Sequence, residues 1–415
     1  MSSQLIEQLD LNNLLYLQGT DASVAMNKQL RKFYPEKTIF QNDEKILFRL
    51  HGRQFIDMKC SSLKFTITFT GDTVLAGIGN LSGSILNIFK RCRILTSTGK
   101  SISDLDNLNL FNRMSQKLYR GTLHSDVIGG SYGLNGITNS EDEWSTGVPY
   151  TFIVPMRFLS PFWDNEQLCP PQIAENMSVE LFLENTTRCG RQATGTLTSY
   201  SVTNPEIIAD VILVTPAIDS AVSSMSNQRM VYEYKDFVQI ESTMSVNAGD
   251  LSLPLTYPLS NALECWTTIR KVSNVNGKTS DSFHTTPIGT KTTELSSDDQ
   301  FVMRIGSIQL PQARIIGGTE MYNMLLNGRN QLQSNTNTNF NLTIRDFEDI
   351  TNPWGVYFAN LRRSNLFDNS GREVSNQQNL VAEIKIKTPA NNIVNMFCQY
   401  VGRVVINDNY LTIES

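Results

Sequence analysis

An all-β fold made of two similar antiparallel halves is predicted for this 415-residue chain by three observations. Apolar and polar residues alternate with period two through most of the length, the signature of half-buried strands. One such segment recurs, in the same register, about half a chain length further on. Only two stretches carry convincing helical periodicity. The length itself exceeds one ordinary core and suits two domains of about 200 residues each.

The elements follow in chain order. Leu5, Ile6, Leu9, Leu11, Leu14, Leu15 and Leu17 precede Lys28, Arg31 and Lys32, and residues 1–40 are read as an N-terminal arm, its start an amphipathic helix, that docks on a neighbouring subunit. From residue 44 the period becomes two: Ile46, Phe48 and Leu50 alternate with Lys45, Leu47 and Arg49, and Phe65, Ile67 and Phe69 with Thr66, Thr68 and Thr70. Further strands are expected at 88–95, 150–158, 178–184 and 207–214, then at 230–242, 251–257, 262–272, 301–310, 340–346, 380–387 and 398–406. The two helices are 106–119, with Leu108, Phe111, Met114 and Leu118 on one face behind Asp104 or Asp106, and 319–328 behind Thr319.

The repeat sets Asn176–Leu183 against Asn379–Ile386. Val179, Leu181 and Leu183 fall on the same alternate positions as Ala382, Ile384 and Ile386, with Glu180 and Glu383 pointing the other way. Each segment is followed by a terminal β-branched strand, 207–214 and 400–406. A second match pairs Arg93-Ile94-Leu95 with Arg314-Ile315-Ile316, each read as a strand end running into the lone helix of its half. Duplication follows, with seven to eight strands and one inserted helix per half. Eight antiparallel strands in a sandwich make a jelly roll. The expected architecture is therefore two tandem eight-stranded antiparallel jelly rolls, each with a short inserted helix. The first spans 41–218 and the second 219–415, joined near 215–229. Long polar loops at 121–147, holding six of the 25 glycines, and at 272–300 are placed at equivalent positions of the two rolls, projecting from one end.

Composition narrows the function. Charged residues are 18% of the chain, below the usual share of about 25%, and the net charge of −5 is evenly spread. Direct nucleic-acid binding is expected to be weak or absent. His51, His124 and His284 stand far apart, so a Ser/His/Asp or Cys/His arrangement has no local support. The six cysteines (Cys60, Cys92, Cys169, Cys189, Cys265, Cys398) form no CxxC pair and are read as free thiols, Cys169 and Cys189 included. The sequence Met1-Ser2-Ser3-Gln4-Leu5 has no basic, then apolar, leader pattern, and no apolar run reaches membrane-spanning length. The sequons at Asn80, Asn176, Asn185 and Asn341 are accordingly read as chance matches.

Three further motifs have bland readings. Thr96-Ser97-Thr98-Gly99-Lys100-Ser101 ends like a phosphate-binding loop, but Ile94 stands where that motif needs glycine, which favours a hairpin turn. Glu141-Asp142-Glu143 lacks the alternating ligand spacing of a calcium loop and reads as a solvated tip. Trp163 and Trp354 have apolar neighbours and read as core or interface rather than sugar platforms. No catalytic, cofactor-binding or metal-binding residue is assigned, and no enzyme activity is expected.

Two tandem rolls, one helix in each, long loops, an arm, sparse charge and few histidines together resemble the double jelly-roll major capsid proteins of the adenovirus hexon, internal-membrane phage and virophage-like lineage. The resemblance covers about 40–410 and rests on strand–helix order. It implies a structural viral protein forming homotrimers, each a pseudo-hexagonal block of six rolls that tile an icosahedral shell through capsomer–capsomer contacts. It also implies penton and minor capsid proteins as partners, an internal membrane beneath some shells of this kind, and location in the virion after assembly in the host cytoplasm or nucleus, without secretion. The alternatives are a non-virion scaffold or minor capsid protein of the same fold, and a two-jelly-roll glycan-binding protein or amidase.

Overall fold

The computed structural model describes residues 25–72, 84–119, 146–189, 197–216, 219–220, 222–224, 229–245, 249–275, 283, 285–286, 288, 299–328, 342–348, 354–363, 370–375, 379–386, 391–407 and 410–414. In the first half the chain runs through β1 (Ala25–Phe33), β2 (Ile39–Gln41), β3 (Lys45–Arg49), β4 (Phe55–Gly71), β5 (Phe89–Leu95) and β6 (Ser101–Leu105). The helix α1 (Leu108–Tyr119) follows, then β7 (Pro149–Pro155), β8 (Ser178–Leu183) and β9 (Leu197–Val214). Two antiparallel sheets result, one in the order β1-β9-β4-β7 with β2 also on β9, the other β3-β8-β5-β6.

The second half repeats this plan. It comprises β10 (Met230–Met244), β11 (Asp250–Leu255), β12 (Leu259–Lys271), β13 (Gln300–Ile305), β14 (Ile308–Ile316) and α2 (Gly317–Gly328). β15 (Tyr357–Asn360), β16 (Arg372–Val374), β17 (Leu380–Lys385), β18 (Asn392–Asn407) and β19 (Tyr410–Glu414) complete it. Its sheets are β10-β18-β12-β15, with β16 on β12 and β19 on β18, and β11-β17-β13-β14. Replacing β1, β9, β4, β7 by β10, β18, β12, β15 and β3, β8, β5, β6 by β11, β17, β13, β14 converts one roll into the other. Each is a jelly roll with its helix between the fifth and sixth strands of the shared plan.

Period-two patterning builds both interiors. Phe65, Ile67 and Phe69 are buried while Thr66, Thr68 and Thr70 face outward, Thr66 Oγ1 lying 2.8 Å from Thr151 Oγ1 on β7. Across the first sandwich Phe65 meets Phe89 edge-on at 5.5 Å; across the second, Phe301 meets Tyr357 at the same separation. The repeat holds in three dimensions: β8 and β17 occupy the same place in their sheets, with Val179, Leu181, Leu183, Ala382, Ile384 and Ile386 all buried. On the opposite face Glu180 pairs with Lys45 (2.7 Å) and Arg93 (3.7 Å), and Glu383 with Arg304 (3.1 Å) and Arg314 (3.5 Å).

Several local expectations change. Residues 25–33 and 39–40, inside the stretch read as an arm, are strands of the first roll, and the basic groups of the first are bound across the sheet: Lys28 to Asp210 (2.8 Å), Arg31 to Gln54 (2.9 Å) and Lys32 to Glu206 (2.9 Å). The leucine-rich residues 5–17 lie outside the described residues. The expected strand 301–310 is a hairpin that reverses at Gly306, where φ is +57°. The expected strand 340–346 ends in a helical turn, Ile344–Glu348, because Asp346 Oδ2 accepts from the Thr343 amide (2.6 Å) and hydroxyl (2.7 Å) and caps it. The Arg93/Arg314 match is coincidental, since Arg93 belongs to β5, one strand before the helix hairpin, whereas Arg314 lies in β14 and leads directly into α2.

The two long loops are likewise not equivalent. Residues 121–147 connect α1 to β7, whereas 272–300 connect β12 to β13. Both types of connection do meet the same end of a roll, because β4 runs antiparallel to β7 and β12 to β15. Part of 272–300 turns inward: Phe283, Thr285 and Ile288 are buried, and the Ile288 amide donates to the Phe347 carbonyl at 2.8 Å. Gly355 permits that close approach, since a Cβ there would stand 2.7 Å from the Thr286 carbonyl oxygen.

Candidate assembly surfaces

The internal joint between the rolls is built around α1. Leu108, Phe111, Met114 and Leu118 give it the expected apolar face, yet Asn109, Asn112, Arg113, Ser115, Gln116 and Lys117 are buried as well. Asn109 is held within the first roll by Glu184 (3.0 Å), whereas the second roll covers Arg113 and Lys117 and the apolar face beside them. Phe111 sits against Phe237 (4.8 Å), Phe397 (5.7 Å) and Trp266 (6.0 Å), while Trp266 stacks on Phe397 at 4.2 Å. The Tyr119 hydroxyl donates to Glu264 at 2.6 Å, and Asn107 donates to Glu241 at 2.9 Å. The Lys117 ammonium lies 4.5 Å from the Trp354 ring and 3.8 Å from Asp346, so a buried cation is held by an aromatic face and a carboxylate. Beside the helix, Tyr234 of β10 donates to the Ile102 carbonyl of β6 at 2.8 Å and meets Phe162 edge-on at 5.1 Å. The sequence signal for this joint is β12 itself, whose residues from Ala262 to Arg270 are all buried instead of alternating. A strand covered on both faces reads that way.

The outer face of the β1-β9-β4-β7 sheet is different in kind. Leu30 is 64% exposed and Ile153 44% exposed, between rows of threonine and paired charge. Glu206 sits between Lys32 (2.9 Å) and Lys64 (3.3 Å); burial pushes its carboxyl up, but the two ammonium groups outweigh burial and hold it below the usual range. Asp57, Cys60 and Asp210 bring three potential ligand atoms within 4.8 Å of one another. The Lys28 ammonium, 2.8 Å from Asp210 and 4.0 Å from Asp57, already cancels one of the cluster's two negative charges, and burial together with Asp57 pushes the Cys60 thiol up, away from the thiolate a metal needs. This face is weakly polar and internally balanced, suited to contact with protein.

The motifs singled out in the sequence are placed as follows. Thr96–Lys100 is the hairpin turn between β5 and β6, closed by the Thr96 amide on the Lys100 carbonyl (2.8 Å), with Gly99 at φ +80°. Gly99→Ala is expected to lower stability by about 1 kcal/mol through backbone strain alone, because a Cβ there meets nothing within 4 Å; urea unfolding measures it. Trp163 and Trp354 are buried, Trp354 over the α1 cations, and Cys169 and Cys189 are buried, unpaired thiols whose ionisation burial pushes up. His51 is exposed, its Nδ1 3.2 Å from the Arg49 carbonyl. Asn176 is exposed at the entry to β8, and Asn185 Oδ1 accepts from the Thr187 hydroxyl at 2.6 Å. His124, His284, Asn80, Asn341 and Glu141–Glu143 lie outside the described residues.

No family model and no curated relative matches the sequence. Solved structures do match the fold along nearly the whole chain. Against PBCV-1 VP54, as fitted into a cryo-EM reconstruction of the virophage Sputnik, the TM-score is 0.60 at 12% identity, covering 96% of this chain and 99% of that one. Against the Faustovirus major capsid protein it is 0.60 at 11% identity, covering 94% and 92%. Against the Sputnik virophage structure from cryo-EM it is 0.56 at 13% identity, covering 95% and 89%. With identity so low, the likeness is one of topology and strand–helix order over the full length. The chain has the double jelly-roll fold found in viral major capsid proteins.

Proposed function

We propose that this chain is a viral major capsid protein that forms homotrimers, each presenting six jelly rolls as a pseudo-hexagonal block in an icosahedral shell. The observation that carries the reading is the reciprocal, near-complete coverage of capsid-protein structures by two rolls that share one eight-strand plan. The physical chemistry supports it. A closed ring buries the flanks of each sandwich, and the flank seen here carries exposed Leu30 and Ile153 among neutralised charges instead of a solvating coat. Partners on this reading are other copies of the chain, then penton and minor capsid proteins. Genome contact is weak, because Lys28 and Lys32 of the first strand are already held by Asp210 and Glu206. The working location is the virion shell, after assembly in the host cytoplasm or nucleus.

Light scattering of the purified protein is expected to give three chain masses, and negative-stain images hexagonal outlines. A stable monomer at micromolar concentration would overturn the assembly reading.

A further inference from the structure

Asp236 of β10 is wholly buried where the two rolls meet. Around it stand Ser103 and Asp104 of β6, Cys92 of β5, and Tyr400, its cross-strand partner on β18, with Tyr234 two residues back on its own strand. The Ser103 hydroxyl is 2.9 Å from that of Ser160, which ties the site to the turn carrying Phe162. Ser103, Tyr400 and the Phe237 amide approach the carboxyl and favour its charged form, yet among the described residues neither oxygen has a partner at hydrogen-bond geometry. The charge that reaches it, Asp104, has the same sign, although Arg91 (2.6 Å) and Arg93 (3.6 Å) hold Asp104 itself. Tyr234, Tyr400 and Cys92 are all pushed up by burial and stay neutral. A carboxylate here would be a buried charge facing no cation among the described residues, which is far more costly than a neutral acid.

We propose that the joint between the rolls is proton-linked: Asp236 closes into it as the neutral acid, and raising the pH from mildly acidic to neutral loosens it. Burial, the main cause, lifts this carboxyl from an ordinary 3.8 to about 7. Between those values the folded chain holds one proton more than the unfolded chain. The folding equilibrium therefore falls up to tenfold per pH unit gained and levels off above about 7, a total of about 10³-fold. The sign is opposite to that of Glu44, Glu166 and Glu206, whose carboxyls are held low and lose their contribution only in acid.

Urea unfolding of the full chain from pH 5 to 8 tests this, comparing wild type with Asp236→Asn. Glu184, also pushed up by burial, contributes to both chains alike and cancels in the difference. Relative to the variant, wild type is expected to lose up to about 100-fold in its folding equilibrium between pH 5 and 8, most of it below pH 7. Parallel profiles would overturn the proposal. Tyr400→Phe removes a hydroxyl that favours the charged form, so its falling limb is expected to reach higher pH; an unmoved limb would also overturn it. Amide exchange, corrected for intrinsic rate, is expected to accelerate at pH 8 over Ile102–Asp104 and Tyr234–Phe237. Acceleration elsewhere alone would place the titration outside the joint.

Discussion

Trp266→Ala is expected to lower stability by about 3–5 kcal/mol, the range for deleting a large aromatic from a packed interior. Trp266 is fully buried, stacked on Phe397 at 4.2 Å, with Phe111 and Phe237 at 6.0 and 6.5 Å. Phe397 lies on the same sheet, so it cannot fall into the space left behind without moving β18. Phe111 arrives from the other roll on a helix whose surroundings are equally fixed. Collapse is therefore limited, and the cavity remains. The indole Nε1 has no hydrogen-bond partner among the described residues, so Trp266→Phe is expected to keep most of the stability. Urea unfolding followed by far-ultraviolet circular dichroism measures both. A loss below about 1 kcal/mol for the alanine variant would mean that α1 does not pack into this aromatic cluster.

The elements legible in the sequence are those whose partners share their local pattern. Phe65, Ile67 and Phe69 declare a strand because one face is core and the other is threonine. β8 and β17 declare their equivalence because a central strand keeps its register or exposes every apolar side chain. What stayed hidden depends on distant residues. β1 looks like a charged arm, since nothing near Lys28 and Lys32 announces Asp210 and Glu206, which neutralise them from nearly two hundred residues away. The polar face of α1 looks solvated until the second roll covers it. Asp236 is equally unmarked, one acid in a run of alternating residues, and only the closing of the rolls takes it out of water. Charge that is cancelled or buried by another domain leaves no periodic trace.

Leu181→Ala, in the heart of the first roll, is expected to lower stability by about 2–5 kcal/mol and to shift a single transition of the whole chain. Leu181 lies on β8 between β3 and β5, opposite Ile46 and Cys92, and every side of it is packed. Single-transition behaviour follows from the joint. Unfolding the first roll alone would withdraw α1, exposing Phe237, Trp266 and Phe397, and would strip Lys117 from Trp354 and Asp346. At about 1.5–3 kcal/mol for each large apolar side chain returned to water, that intermediate is disfavoured. Ile384→Ala, at the corresponding place in the second roll, is expected to move the same transition in the same direction. Circular dichroism and tryptophan fluorescence should then report coincident curves for wild type and both variants, measured near pH 6 where Asp236 is mostly neutral. Two resolved transitions, with Leu181→Ala moving one and Ile384→Ala the other, would show that the rolls are held together too weakly for the aromatic joint to act as a shared core.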